Sequence, residues 1–288
     1  MDGMSPSERV TENLRRKIRK LLPGFILPVL ILVLWHIFSG STMLPGPERV
    51  FGVLSHPARD LLSCGSLFWN TGVSLIRVVL GLFIAILLGT PMGFIMGASE
   101  RFRRFTSVIT ELARPLSPIA LLPLSIIIFK DTSFTEVFGL TELKYTKNIL
   151  NELQIGMVFI LAWGGIFPVI LETMHGVRGV RKVYIEAARV LGAGRLFIFR
   201  HVLFPASLPD IFAGYRMAVG RCWMVIIAAE MLPGTNSGIG YLLRYSYQLS
   251  RLDVMLACIF IIALIGLVFS RGLELAGEKW LLLRVRER

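Results

Sequence analysis

The sequence predicts an all-α, polytopic membrane protein with about six transmembrane helices, and three observations support this prediction. Of the 288 residues, 54% are hydrophobic and only 17% are charged, and the mean hydropathy is +0.67. A water-soluble domain of this length needs a more polar surface, so the composition favours lipid as the surrounding medium. The apolar residues are also grouped into span-length stretches, and the basic residues between them alternate from one side to the other.

Six stretches carry the roughly 20 apolar residues that a helix needs to cross the hydrocarbon core. They are Leu21–Phe38, Gly72–Gly97, Ser107–Phe129, Glu152–Met174, Ser207–Leu232 and Val254–Ala276. The first is the shortest, and its basic flank would also suit a cleavable signal peptide, although the apolar run is long for one.

These spans predict the organisation of the chain. We expect a cytoplasmic basic tail over 1–20, a first transmembrane helix over 21–38, a five-helix core over 72–276 and a cytoplasmic tail over 277–288. The core includes a long inner loop over 176–206.

The distribution of Lys and Arg predicts the orientation. Nineteen of these 31 residues lie in the two tails and in the connections after the second and fourth spans, whereas seven lie in the opposite connections. Because basic residues are enriched in cytoplasmic segments, both termini are expected inside the cell. This topology accounts for most of the net charge of +12. A nucleic-acid partner is not expected, since no basic patch with interleaved aromatic residues remains.

The inner loop between the fourth and fifth spans is too patterned for a plain linker. Residues 181–191 are good helix formers with apolar side chains at helical spacing. Gly192 follows them and suits a left-handed helix cap, because it has no Cβ to clash. A second short amphipathic stretch, Leu196–Phe204, is expected to end at Pro205, which cannot continue a helix.

Two interpretations of this loop are open. The adjacent small residues Ala187 and Ala188 would let another protein approach the first short helix closely. Alternatively, the Arg-rich loop would rest on lipid headgroups as an interfacial helix. The chain contains no GxxxxGK[ST] sequence, so a P-loop that holds ATP would have to belong to another polypeptide.

The inner loop resembles a known signature. Glu186-Ala187-Ala188, then Gly192 after a gap of three residues, then Val202-Leu-Phe-Pro205 is similar to the EAA–G–xLP signature of binding-protein-dependent ABC importer permeases. Four further stretches resemble the branch of that family that handles nitrate, sulfonate, taurine or bicarbonate. They are Ser74–Gly81, Arg114–Pro123, Ala228–Met231 and Ser237–Tyr241.

This resemblance implies a permease subunit that couples a translocation pathway to a separate ABC ATPase subunit, which binds ATP and Mg. The chain itself would need no cofactor. The residues implied in ATPase coupling are Tyr184, Glu186, Ala187, Ala188, Gly192 and Pro205. The further implied partners are a periplasmic or lipid-anchored solute-binding protein, a second permease copy in a homodimer, and membrane lipid. The implied location is the bacterial inner membrane, and the implied substrate is a small, anionic solute.

Charged residues inside predicted spans are candidates for pathway or pairing roles, because such groups are costly in the hydrocarbon region. Arg77 in span two and Glu230 in span five lie at similar depth and could form a charge-assisted pair. Arg216 and Arg221 lie deeper in span five. They could attract an anion, or they could pair internally with Asp210 or Glu172.

Two other classes of protein are weaker alternatives. An ATP-independent secondary transporter or channel would leave the signature over 186–205 unexplained. A membrane enzyme would need a catalytic or metal constellation, and the four histidines form no HExxH or similar pattern. Ser237 faintly resembles a nucleophile elbow but lacks His and Asp partners in sequence context. We therefore expect neither a catalytic residue nor a metal site.

Overall fold

The computed structural model describes residues 29–39, 44–129, 132–137 and 149–285. Within these ranges the regular structure is helical, and the only strand-like pairings are two isolated β-bridges. The all-α prediction is therefore confirmed. The predicted tail over 1–20 lies outside the described residues.

Thirteen helices follow one another along the described parts of the chain. They are α1 (Val29–Ser39), α2 (Pro47–Ser55), α3 (Leu67–Ala98), α4 (Glu100–Ala113), α5 (Ile119–Phe129, with a 3₁₀ first turn), α6 (Phe134–Val137), α7 (Ile149–Glu152), α8 (Ile155–Gly179), α9 (Lys182–Val190), α10 (Arg195–Ile198), α11 (Phe204–Glu230), α12 (Ile239–Gln248) and α13 (Leu252–Val285). We call the end of the bundle where α3 begins the outer end, and the end where α3 finishes the inner end.

Four segments of the described chain are long and apolar enough to cross a membrane. They are Leu67–Ala98, Ile155–Gly179, Arg195–Glu230 and Leu252–Leu275. They correspond to the second, fourth, fifth and sixth predicted spans. Of the first predicted span, only the part within α1 is described. α13 continues as a helix to Val285, so the described part of the predicted tail over 277–288 is helical.

The third predicted span is not one helix. The stretch predicted as Ser107–Phe129 begins inside α4, which ends at Ala113, and α5 begins only at Ile119. The intervening residues contain Pro115 and Pro118, whose missing N–H groups and fixed φ angles interrupt a helix. Hydropathy predicts apolar length, and it does not register this break.

Small residues hold the three central helices close together. A Cβ on Gly89 would lie 2.9 Å from the Val169 side chain, and one on Gly93 would lie 2.6 Å from the Ile170 carbonyl. Gly165 is similarly crowded by Cys222 on α11. Small residues of this kind let helix backbones approach, which is how spans gain packing contacts in lipid. α3, α8 and α11 therefore form the rigid centre of the described bundle.

Candidate functional site

The inner loop presents α9 as a helix with almost no cover from the rest of the chain. None of its residues is buried. Tyr184 is 58% exposed and Val190 is 87% exposed, and the following Leu191 is 87% exposed. Glu186 and Ala187 also face solvent. An amphipathic helix that leaves its apolar side chains open within the subunit offers a surface for another molecule.

A glycine cap fixes the end of α9. Gly192 has φ +80°, as the sequence predicts. Its N–H donates to the Arg189 carbonyl at 2.9 Å, and the N–H of Ala193 donates to the Ala188 carbonyl at 2.9 Å. These two bonds make a Schellman motif, in which the left-handed residue satisfies the last carbonyls of the helix. The cap sets the direction in which the chain leaves α9.

The expectation that Pro205 ends a helix is wrong. Pro205 lies in the first turn of α11, and the preceding Phe199–Leu203 forms a π-helical turn that is continuous with α10 and α11. Proline is tolerated there because the first N–H groups of a helix need no partner inside it. The π turn replaces the regular α-helical hydrogen bonding just before Pro205, where the missing N–H of proline would interrupt it. The second stretch of the inner loop is therefore the inner part of the long helix.

A buried ion pair joins α3 to α11 near the outer end. Arg77 Nη1 and Glu230 Oε1 are 2.7 Å apart, with side chains 1% and 0% exposed. Arg77 uses all five of its N–H donors. Besides Glu230, it donates to the Glu152 carbonyl from Nε at 2.9 Å and from Nη2, and to the Ser237 carbonyl and Oγ at 3.0 Å each. Each buried donor of the guanidinium is therefore matched.

The carboxylate of Glu230 is matched in the same way. It accepts from Ser74 Oγ at 2.8 Å and from the Gly240 N–H at 3.0 Å. Thr235 Oγ1 donates to the Glu230 carbonyl at 2.9 Å. A buried charge pair is tolerable when hydrogen bonds satisfy its remaining atoms, as they do here.

The network also fixes the loop between α11 and α12. The Gly238 N–H donates to Asn70 Oδ1 at 2.9 Å, and the Ile239 N–H donates to Ser74 Oγ at 2.9 Å. Gly238 has φ +112°, and a Cβ there would collide with the Glu230 carboxylate. This loop is thereby held against α3 as well as against α11.

Sequence reasoning missed several members of this network. Asn70 and Ser74 lie four residues apart on α3, and Arg77 follows three residues later, so all three share one helix face. Ser74 and Arg77 lie within the second predicted span and Asn70 lies two residues before it, so this polar face could have been recognised from the sequence. Ser237, weighed as a nucleophile, instead donates from Oγ to the Glu152 carboxylate. Glu152 itself gave no signal, because it lies at the edge of a span.

Arg216 and Arg221 do not take part in the hydrogen-bond network around Arg77 and Glu230. Both are exposed on α11, and neither forms an ion pair with a carboxylate in the described parts of the chain. Asp210 and Glu172 instead crowd Gly176 and Gly214. The suggested internal pairing is therefore not observed.

The residues that the structure describes contain no group of three or more His, Cys, Asp or Glu that could hold a metal ion. The free cysteines among them, Cys64, Cys222 and Cys258, form no disulfide.

Comparisons with known proteins agree on one family. The family model "Binding-protein-dependent transport system inner membrane component" matches residues 71–278. A Methanocaldococcus jannaschii protein with the provisional name of an ABC transporter permease is 38% identical over 270 residues, covering 92% of this chain and 93% of that protein. The bicarbonate transport system permease protein CmpB of Synechococcus elongatus is 32% identical over 282 residues, covering 93% of each. The taurine transport system permease protein TauC of Escherichia coli is 32% identical over 253 residues, covering 86% of this chain and 84% of that protein.

Solved structures show a matching fold. The structure of inward facing conformations of the MetNI methionine ABC transporter aligns with a TM-score of 0.57 at 16% identity, covering 81% of this chain and 98% of that chain. At this identity the likeness concerns the fold alone.

Proposed function

We propose a function from one premise: this chain belongs to the family of binding-protein-dependent transport system inner membrane components, in the branch of the nitrate, sulfonate, taurine and bicarbonate permeases. It is a multi-pass membrane protein and the permease component of an ABC importer. Its relatives are transport subunits rather than enzymes. The finer proposal is that it forms the translocation pathway and is driven by ATP hydrolysis on a separate subunit.

The observation that carries this proposal is the exposed, capped helix α9. The six coupling residues all lie within or beside it or at the start of α11: Tyr184, Glu186, Ala187, Ala188, Gly192 and Pro205. We propose that α9 inserts into a groove on an ABC ATPase that carries ATP and Mg. The small Ala187 and Ala188 allow close approach, and Glu186 supplies a carboxylate for hydrogen bonds. The rigid Gly192 cap and the continuous segment Arg195–Glu230 would transmit the movement into the bundle.

The proposed substrate is a small anion such as nitrate, an alkyl sulfonate, taurine or bicarbonate. The names of the relatives support this class. The exposed Arg216 and Arg221 support it independently. Arg216 lies about 18 Å from the start of α11 and about 21 Å from its end, which is the middle of a membrane span. An unpaired arginine there would be costly against lipid, so it favours an anion pathway.

The proposed assembly contains two copies of this chain, an ATPase subunit on the inner side and a solute-binding protein on the outer side. It lies in the inner (plasma) membrane with both termini in the cytoplasm. The second copy would complete the pathway by covering the open face of α11.

Reconstitution tests this function. The permease is co-purified with its cognate ATPase and binding protein and placed in proteoliposomes. ATP-dependent uptake of labelled nitrate, bicarbonate, taurine and an alkyl sulfonate is then measured. Uptake of one of these anions that needs ATP supports the proposal. Uptake that proceeds equally without ATP would instead indicate a secondary transporter.

A further inference from the structure

The break between α4 and α5 is non-helical backbone inside the membrane-spanning part of the chain. Residues 114–117 are exposed and Pro118 is half-buried. In hydrocarbon, irregular backbone is tolerated only where protein covers it or where it lines a water-filled cavity. The described chain does not cover residues 114–117. The break therefore faces either an aqueous pathway or a second subunit.

Arg114 begins this break and lies near the middle of the membrane. Fourteen residues separate it from Glu100, a rise of about 21 Å along α4. On the other side, Pro118 packs at Gly164, which lies about 14 Å along α8 from its outer end. From this depth a side chain cannot snorkel easily to either interface. Arg114 is exposed and forms no ion pair with a described carboxylate, including Glu111 one turn earlier. A lipid-facing position would therefore be unfavourable.

The break between α4 and α5 and the helix α11 both approach α8 at Gly164. A Cβ added to Gly164 would lie 3.4 Å from Pro118 Cγ and 3.5 Å from Val225 Cγ2. The first turn of α5 also contacts α11. Pro118 and Val225 are therefore close neighbours across Gly164.

Two exposed arginines lie within four residues of this contact. Arg114 precedes Pro118 by four residues, and Arg221 precedes Val225 by four residues on the same helix face. α4 and α11 both run from the inner end to the outer end, so Arg221 lies about one helical turn toward the inner side of this contact, and Arg114 lies four residues before it, at the end of α4. Beside Arg221, a Cβ on Gly220 would meet no atom within 4 Å. The surface of α11 beside Arg221 is therefore open within the subunit.

We propose that Arg114 and Arg221 form the binding site for the transported anion, with a carboxylate, sulfonate or similar oxyanion as the ligand. This inference rests on the proposed function and adds Arg114 as a substrate-binding residue. Two guanidinium groups at one depth repel each other, and an anion between them removes that repulsion. The planar fork of arginine binds two oxygens of an oxyanion at once, which lysine cannot do.

Transport kinetics test the site. The complete complex is reconstituted with wild-type permease, Arg114→Gln, Arg114→Lys or the control Arg271→Gln, and uptake of nitrate, bicarbonate and taurine is measured. Arg271 is also an exposed arginine within a spanning helix, but it already pairs with Glu274 at 3.6 Å. Loss of a charge-assisted contact should raise KM for the transported anion about tenfold or more in Arg114→Gln. Arg114→Lys should recover part of the affinity, and Arg271→Gln should match the wild type.

A second readout does not depend on transport. Arg114→Cys, with the native cysteines replaced, is treated with a negatively charged thiol reagent that does not enter lipid. If the transported anion slows the labelling of Arg114→Cys, the result supports the proposed site. Absence of labelling, or a wild-type KM in Arg114→Gln, overturns the inference while the proposed function stands. If the wild-type complex takes up none of the three anions, the proposed function is wrong and this inference falls with it.

Discussion

Arg77 Nη1 lies 2.7 Å from Glu230 Oε1, and the two residues are separated by 153 positions along the chain. The pair ties the second predicted span to the fifth, and its hydrogen bonds extend to the backbone of Glu152 and to the loop after α11. The outer ends of α3 and α11 and the end of α7, just before α8, are therefore joined through one guanidinium. We expect this end of each subunit to move as a single body.

Breaking the pair should destabilise the subunit strongly. Arg77→Ala and Glu230→Ala each leave an uncompensated buried charge, which typically costs about 3–5 kcal/mol. Arg251→Ala is the matched control, because its pair with Asp253 is partly exposed and should be worth at most about 1 kcal/mol. Thermal unfolding of the purified permease in detergent measures the difference. The charge swap Arg77→Glu with Glu230→Arg should recover part of the loss, and two harmless, strictly additive single variants would contradict the role of the pair.

Gly238 should tolerate no side chain. Alanine there must adopt φ +112° and displace the Glu230 carboxylate, so Gly238→Ala combines backbone strain with damage to the network. Gly234→Ala is the matched control, since Gly234 has φ +106° but open space around it. Both variants place alanine at a positive φ and should lose stability through backbone strain. Only Gly238→Ala should also disturb the network and lower the melting temperature further. Equal melting temperatures would show that Glu230 adjusts without loss.

Replacing Gly192 should uncouple transport from ATP hydrolysis. Gly192→Val forces a β-branched residue into φ +80° and should disrupt the cap that orients α9. Gly194→Val is the control, because Gly194 has φ −68° and ψ 164°, which valine adopts readily. Ala188→Trp tests close approach to the ATPase directly. We expect loss of substrate-stimulated ATP hydrolysis in Gly192→Val and Ala188→Trp only, with the permease still inserted and folded.

Two measurements separate these outcomes. Co-purification reports whether the ATPase still binds, and ATP hydrolysis with and without loaded binding protein reports coupling. If the bulky variants keep both, α9 is not the coupling element, and the interpretation as an interfacial helix on lipid headgroups replaces it.

The topology should be readable by cysteine labelling. Asn236 and Ala58 are exposed near the outer end, and Leu191 is exposed at the inner end. In a background without native cysteines, Asn236→Cys and Ala58→Cys should react with an impermeant thiol reagent added outside. Leu191→Cys should react only after the inner face is opened. The reverse pattern would mean that the termini lie outside.

Apolar length and basic-residue bias predicted most of the spans, because they report the medium around a helix. They placed the spans that became α3, α8 and α11 to within about five residues at each end. They placed the start of α13 to within two residues, although that helix continues nine residues past the predicted end of the span. They failed at Ser107–Phe129, where Pro115 and Pro118 divide an apolar run that remains span-length by hydropathy. The expectation that Pro205 ends a helix failed for a different reason. A proline can begin a helix as well as end one, and here a π turn precedes Pro205 in the first turn of α11.

By itself, the sequence determined the membrane class, the family resemblance and the capped helix at Gly192, since each depends on neighbouring residues. The tertiary structure alone decided which distant groups meet. Counting residues from the ends of the spans suggested that Arg77 and Glu230 lie at the same depth and could pair. It could not include Ser237, because the position of a loop residue depends on how the loop folds. Likewise, Pro118 and Val225 are neighbours only because both pack against Gly164 of α8. Long-range contacts of this kind depend on how the helices pack. The sequence pattern of one helix shows which of its own residues share a face, but not how the adjacent helix is rotated about its axis.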